Sequence, residues 1–272
     1  MSELDPRHSK RLERAGYNLI GGRYRQAAAA RLALTEALLA QSGLQPGQRI
    51  LDLASGPGLL AEAAAERVGG QGLVVATDIA EGQLSVCPES PCIRVVAADA
   101  EALPFADGVF ERVLCGLGLM FFPDAARALR EARRVLGAKG RIALSVWGTA
   151  AQVPLVECAL ACLRRLLPPQ KVSRPSVFRY GDPALLHPLL AAGGFERIEI
   201  VPLRFESRFP DAAAYWQGFL DLAGGVAGSL ARLSPATQAA LAAGVALELA
   251  PYRASDGYLL HSEAWIASAV AG

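Results

Sequence analysis

Between residues 49 and 147 the chain keeps one rhythm. Short apolar runs at 49–54, 73–79, 93–98, 110–115 and 141–147 alternate with stretches of helical spacing, of which 57–68 and 123–136 are the strongest. Strands alternating with helices in this way build an open parallel sheet with helices on both faces. Pro57 suits the first helical position, where a missing backbone N–H costs nothing. In 123–136, Asp124 stands near the start and Arg133 and Arg134 in the last turn, the charge order that a helix dipole favours.

After Trp147 the rhythm changes. Residues 151–167 read as helix, then Pro168, Pro169 and Pro175 interrupt. A further helix at 184–192 meets Gly193 and Gly194 where a left-handed cap belongs. Residues 197–205 and 257–267 read as strands, with about fifty helix-forming residues between them. The predicted organisation is an N-terminal helical cap over 1–45 and one α/β sheet domain over 46–272. Helical lid insertions are expected at about 151–181 and 209–255. No internal repeat or low-complexity linker divides the chain.

At 52% hydrophobic residues, the 272-residue chain has ample material for a core, and disorder is excluded as its main state. Twenty-seven basic against 26 acidic side chains produce no overall field for nucleic acid or an anionic membrane. Charges at Glu3, Asp5, Arg7, Lys10, Arg11, Glu13 and Arg14 leave no room for a secretory signal, so a cytoplasmic protein is expected. A membrane span is not expected, since no run of ~18 apolar residues occurs. The five cysteines match no zinc-site spacing and read as reduced, buried or half-buried thiols. Cys158 and Cys162 sit one helical turn apart but have no evident third ligand, so no metal is expected.

The segment Asp52-Leu53-Ala54-Ser55-Gly56-Pro57-Gly58 joins the first strand to the first helix. Glycine here lets backbone approach a ligand closely and aims the helix start at it. Twenty residues beyond Gly58, Asp78 ends the second strand, where a carboxylate can accept hydrogen bonds from both hydroxyls of a ribose. Asp99 ends the third strand, where it can take a donor such as the exocyclic amine of adenine. Three acidic residues thus line the carboxyl edge of the sheet, the place where open α/β folds bind ligands.

A dinucleotide such as NAD is the obvious competitor, and electrostatics disfavours it. Its pyrophosphate would lie against Asp52, and like charges in a partly desolvated site cost on the order of several kcal/mol. S-adenosylmethionine has no phosphate and carries a sulfonium and an ammonium, charges that suit these carboxylates.

The motifs LDLASGPG, TDIAEGQL and ADAEALPFADGVFERV resemble those of the class I S-adenosylmethionine-dependent methyltransferases. EALPFADGVFERVLC followed by LREARRVLGAKGRIALSV is most similar to the branch containing the ubiquinone and menaquinone biosynthesis C-methyltransferases and many natural-product methyltransferases. The resemblance is specific over residues 48–148. It implies a seven-stranded Rossmann-like sheet of order 3-2-1-4-5-7-6 with the last strand antiparallel. It also implies a set of cofactor contacts. Asp52, Ala54, Ser55, Gly56 and Gly58 would cradle the methionine moiety, and Asp78 would bind the ribose. Ile79 and Leu84 would flank the adenine, whose edge would meet Asp99 and Ala100. Cys115, Gly116 and Leu117 would close the methionine side through backbone carbonyls, and Tyr17, Tyr24 and Arg25 resemble a helix that caps the cofactor. Ala54 stands where the family has its first glycine, which is tolerable if its φ is negative. The helix after strand two must be short or broken, because Pro88 and Pro91 fall before Asp99.

Methyl transfer from a sulfonium is an in-line displacement, so the protein's main task is alignment in a dry pocket. Of the three histidines, His187 reads as helix surface, and His8 and His261 are weak candidates for a base; proximity and desolvation are expected to dominate. On the acceptor side, Tyr17, Met120, Phe121, Phe122, Trp147, Phe178, Tyr215 and Trp216 are expected to line an apolar pocket under a lid, with Tyr180, Phe209 and Phe219 nearby. The implied function is methyl transfer to an O or C atom of a hydrophobic, aromatic or quinone-like molecule by a monomer or homodimer, with S-adenosylhomocysteine as by-product. The alternatives are a non-methylating reaction on the same cofactor and a non-catalytic binding module.

Overall fold

The computed structural model describes residues 5–27, 31–168 and 174–272. Pro169 and parts of the N-terminal cap segment, 1–4 and 28–30, lie outside them. Five parallel strands form the sheet's first half: β1 (Arg49–Leu53), β2 (Leu73–Asp78), β3 (Ile93–Ala97), β4 (Phe110–Gly116) and β5 (Leu136–Trp147). Three more follow: β6 (Phe195–Phe209), the two-residue β7 (Arg253–Ala254) and β8 (Gly257–Ala271). The order is β3-β2-β1-β4-β5-β8-β6, with β7 paired to β8 and both β5 and β6 antiparallel to β8. Setting aside β7, this is the expected arrangement.

In β1 the consecutive residues Ile50, Leu51, Asp52 and Leu53 are all buried. Successive side chains point to opposite faces, so this sheet is covered on both. Helices α3 (Leu32–Ser42) and α4 (Leu59–Val68) pack against each other and against the parallel strands, while α6 (Ala125–Val135) and α8 (Pro183–Ala192) pack against each other and against β5 and β6. The α6 helix follows its sequence signals: the Asp124 carboxylate caps the Arg127 N–H at 2.9 Å and Arg133 and Arg134 occupy the last turn.

The left-handed cap expected at the glycine pair after α8 falls on Gly194 (φ 86°), one residue past the right-handed Gly193. Two local expectations change. The first crossover helix begins at Leu59 rather than Pro57, because Gly58 takes a left-handed φ of 82° that places Pro57 in the turn. The last two strands are each 15 residues long, well beyond their expected ends. Between β2 and β3 only the four-residue α5 (Glu81–Leu84) forms, as the prolines require.

The long β6–β8 ribbon reaches past the sheet and carries a second core. Helices α7 (Pro154–Leu166), α9 (Ala212–Leu222), α10 (Gly224–Leu230) and α11 (Pro235–Leu249) belong to this region. Its centre contains Cys158, Cys162, Tyr215, Leu241, Val245 and Leu260, distinct from the sheet core. The two thiols donate to the carbonyls of Glu248 and Leu241. Helices α1 (Pro6–Asn18) and α2 (Gly21–Gln26) cross the carboxyl edge of the sheet, with α1 against α10. No helix among the described residues is long and apolar enough to cross a membrane.

Candidate active site

The turn after β1 is built on three left-handed residues, Ala54 (φ 52°), Gly56 (φ 57°) and Gly58 (φ 82°). Ala54 therefore departs from the negative φ expected of it, at a cost of roughly 1–2 kcal/mol. The turn is held by its neighbour strand: the Ser55 N–H donates to Thr77 O at 2.9 Å, and the Gly56 N–H to Asp78 Oδ2 at 2.9 Å. Asp78 Oδ1 accepts the Ala80 N–H at 2.8 Å. Burial nevertheless raises the Asp78 carboxyl above its ordinary range, against these backbone donors.

A cavity of about 630 Å³ opens at the strand tips. Such a volume lies within the ordinary range of small-molecule sites, roughly 300–1,000 Å³. One arm is polar and brings together Ala54, Gly56, Asp78, Ile79, Asp99, Ala100, Gly116 and Leu117 under Tyr17 and Tyr24. The other is mostly apolar and brings in Phe121, Phe122, Trp147 and Tyr215 with Phe205, Phe209 and Phe219. Tyr17 lies between them, edge-on to Tyr24 at 6.2 Å and to Phe121 at 5.8 Å. The Tyr215 hydroxyl donates to Leu155 O at 2.9 Å and accepts the Ala159 N–H at 3.0 Å, which fixes its ring as part of the wall.

Behind the polar arm a recess of about 50 Å³ is lined by Asp52, Ser55 and Ser145, and shares Tyr24, Arg31, Ala54, Gly116 and Leu117 with the main cavity. Asp52 is fully buried near the Ala61 N–H, and among the described residues neither of its oxygens makes a hydrogen bond of ordinary geometry. Burial, then the charge of Asp78, pushes its carboxyl well above the usual range. Across the recess the Arg31 guanidinium stacks on Tyr24 at 4.3 Å, and burial pushes it down to about 10. No acidic partner neutralises it among the described residues.

Several expected contacts fall outside the cavity, each for a local reason. Gly58 is enclosed by the turn, where a Cβ would sit 2.3 Å from Cys87 Sγ. Leu84 turns into the core, and Gln83, one residue earlier, faces the cavity instead. The Cys115 side chain is buried behind its strand, with burial raising its thiol to about 12, so only its backbone is left for the contact expected of it. Met120 is fully buried in the turn that exposes Phe121, and Phe178 packs on the sheet core, leaving Val177 at the wall. Trp216 stacks on Phe219 at 5.6 Å inside the second core. Arg25 pairs with Glu62 at 2.8 Å, away from the cavity.

Neither weak base candidate reaches the site. His8 lies beside Arg11, its Nδ1 2.9 Å away. His261 is exposed on the outward side of β8, 3.6 Å from Glu206, between the buried Leu260 and Ser262. His187 is likewise exposed, on α8.

The sequence reading missed the charged residues that α1 delivers. Lys10 Nζ lies 2.7 Å from Asp99 Oδ2 and 2.6 Å from Glu101 Oε2, so Asp99 enters the cavity already paired. Burial opposes the lysine's charge, but the two carboxylates outweigh it and raise its pKa. Glu13 and Arg31 also line the cavity. The only sequence signal for Glu13 is helical spacing, since Ser9, Glu13 and Gly16 form the buried face of α1, while Arg31 stands at the start of α3.

Comparison with known proteins agrees with this geometry. Residues 51–144 match the family described as the methyltransferase domain. Over 175 residues the chain is 33% identical to the ubiquinone/menaquinone biosynthesis C-methyltransferase of Serratia proteamaculans, covering 58% of this chain and 70% of that protein. Among solved structures, the fold resembles phosphoethanolamine N-methyltransferase 2 of Haemonchus contortus in complex with S-adenosyl-L-methionine, with a TM-score of 0.55 and 19% identity over 88% of this chain and 52% of that one. It also resembles the [4+2]-cyclase SpnF, with a TM-score of 0.54 and 22% identity over 87% of this chain and 80% of that one. At such identities the two structures speak for the fold alone.

Proposed function

Because the chain belongs to the class I S-adenosylmethionine-dependent methyltransferases, we propose that it methylates an oxygen or carbon atom of a hydrophobic, aromatic or quinone-like small molecule. The observation that carries this reading is the continuity of the cavity, in which a carboxylate-lined arm at the strand tips runs into an aromatic one under the helical insertions. The Serratia relative's role in ubiquinone and menaquinone biosynthesis supports a ring-bearing acceptor.

The residues present fit the cofactor. Among the described residues Asp52 offers two buried oxygens without partners and Arg31 a guanidinium without a carboxylate, a pairing that suits an amino-acid end bearing both an ammonium and a carboxylate. Asp78 spends one lone pair per oxygen on backbone donors and keeps the rest for a ribose diol. When bound, the cofactor supplies a methyl group already activated on a sulfonium. The chain's own work is to hold the acceptor in line with that methyl group and to keep water out. Trp147, Phe205 and Tyr215 wall the space where this must happen. Orientation of this kind is worth about 7–11 kcal/mol of barrier.

The test is direct. Purified protein incubated with methyl-tritiated S-adenosylmethionine and a panel of phenols, naphthols and quinols should pass label into the organic phase. Calorimetry should show S-adenosylhomocysteine binding. If the parent protein bound no S-adenosylhomocysteine, the assignment of this cavity would fail.

A further inference from the structure

One buried acidic residue of the cavity, Glu13, lies outside the set proposed above to hold the cofactor. Glu13 projects from α1 toward α10, where its carboxylate rests against Gly225 of the second insertion; a Cβ added there would lie 2.9 Å from Oε2. The close approach depends on small residues, since a Cβ on Gly16 would strike Gly224 O at 2.0 Å. Arg174 holds Oε1 at 3.1 Å and anchors itself on Gly225 O. Oε2 is buried and has no partner among the described residues. Tyr17, four residues along the same helix, stands beside Glu13, and its hydroxyl makes no hydrogen bond among the described residues. The second insertion adds the apolar Leu222, Ala223 and Val226 to the cavity wall.

An ionised carboxylate oxygen only accepts hydrogen bonds, and leaving one unsatisfied in an apolar cavity is costly. The occupant that relieves the cost is one that brings a donor. We propose that Glu13 accepts the hydrogen bond, and on transfer the proton, of a hydroxyl on the methyl acceptor, so that the cavity selects hydroxyarenes or enols over ketones, quinones and ethers of the same shape. The inference rests on the methyltransferase reading above and deepens it. In the step, the acceptor's O–H bond breaks with its proton passing to Glu13, and the electron pair left on the acceptor forms the new bond to the methyl carbon. The pair of the breaking carbon–sulfur bond stays on sulfur, which becomes a neutral thioether. If a ring carbon attacks instead, the same ionisation loads the ring; its displaced hydrogen restores the hydroxyl on rearomatisation, and Glu13 returns its proton to solvent. Burial, which outweighs the charge of Arg174, raises the Glu13 carboxyl above its ordinary range and so moves it toward a useful proton acceptor.

Binding provides a readout independent of turnover. With the S-adenosylhomocysteine-loaded protein, 2-naphthol and 2-methoxynaphthalene are titrated by fluorescence against the parent, Glu13→Leu and Glu13→Gln. The parent should prefer 2-naphthol by at least about tenfold. Glu13→Leu should lose that preference while both variants bind S-adenosylhomocysteine within about threefold of the parent. Glu13→Gln, whose amide oxygen still accepts, should keep part of the preference and so control for folding. An equal affinity for the two probes in the parent, no measurable naphthol binding, or an unchanged preference in Glu13→Leu overturns the assignment of Glu13 alone. Failure of the parent to bind S-adenosylhomocysteine overturns the cofactor reading and this one with it.

Discussion

Replacing Asp52 by Asn isolates the energetic cost of the recess. The side chain is buried with both oxygens unpartnered among the described residues, and burial with the neighbouring Asp78 raises its carboxyl well above the usual range. The folded state therefore retains a proton that the unfolded chain releases near pH ~4. From there up to the raised folded value the native state binds more protons, so stability falls as pH rises through that window and the full penalty applies above it. An unsatisfied buried polar group costs about 1–3 kcal/mol, and a charged one more. The unfolding entropy of a chain this long is about 0.6 kcal/mol per degree, so relief of that penalty corresponds to a Tm rise of ~2–5 °C. Calorimetric scans of the unliganded protein should show Asp52→Asn more stable than the parent by this amount at pH 8, with the difference shrinking as the pH falls and vanishing near pH ~4. The same variant should bind S-adenosylhomocysteine at least about tenfold more weakly, having lost the carboxylate that meets the ammonium. A variant less stable than the parent at pH 8, or one that keeps the parent's pH dependence, would refute the claim that Asp52 carries an uncompensated charge.

Asp78→Ala should weaken S-adenosylhomocysteine binding by more than about tenfold in calorimetry, since hydrogen bonds to a charged group are worth ~1.5–3 kcal/mol each; an unchanged affinity would detach Asp78 from the ribose. Gly118→Ala should destabilise by ~1–3 kcal/mol in urea unfolding, because its Cβ would lie 2.7 Å from Ala54 Cβ and 2.8 Å from Cys115 Sγ. Adding Ala54→Gly removes one of those atoms and the left-handed alanine, and should recover part of the loss; strictly additive effects would deny the contact. With its thiol raised to about 12 and fully buried, Cys115 should resist iodoacetamide at pH 8, as mass spectrometry of the native protein would show, while the half-buried Cys92 reacts; rapid labelling of Cys115 would mean that its strand tip opens.

What the sequence made legible follows from how local each signal is. The β1 turn, Asp78 and Asp99 sit at strand ends whose order is set by alternation, so their convergence could be read before any coordinates. The aromatic lining was harder. Phe121 and Met120 are adjacent, yet one faces the cavity and the other the core, and only the tight turn at 119–121 decides between them. Leu84 and Gln83 trade places for the same reason: in a helix of four residues, periodicity has no length over which to declare a face. Glu13 and Lys10 were invisible as site residues because a helix far away in sequence brings them over the strand tips, and a charged amphipathic segment looks the same whether it faces water or a cavity. Ala54 is the reverse case: its identity was plain, but its left-handed φ is imposed by the bonds of Ser55 and Gly56 to the second strand.

The separation of the insertion helices into a hydrophobic nucleus of their own has an evolutionary corollary. The donor-binding loops hang from the central strands, whereas part of the lining that would greet the guest molecule, Phe209, Tyr215 and Phe219, hangs from the outer ribbon and packs on that second nucleus. That part can drift with little effect on the loops. Descendants of such a chain can exchange one small guest for another by redecorating the roof while the foundations stay as they were.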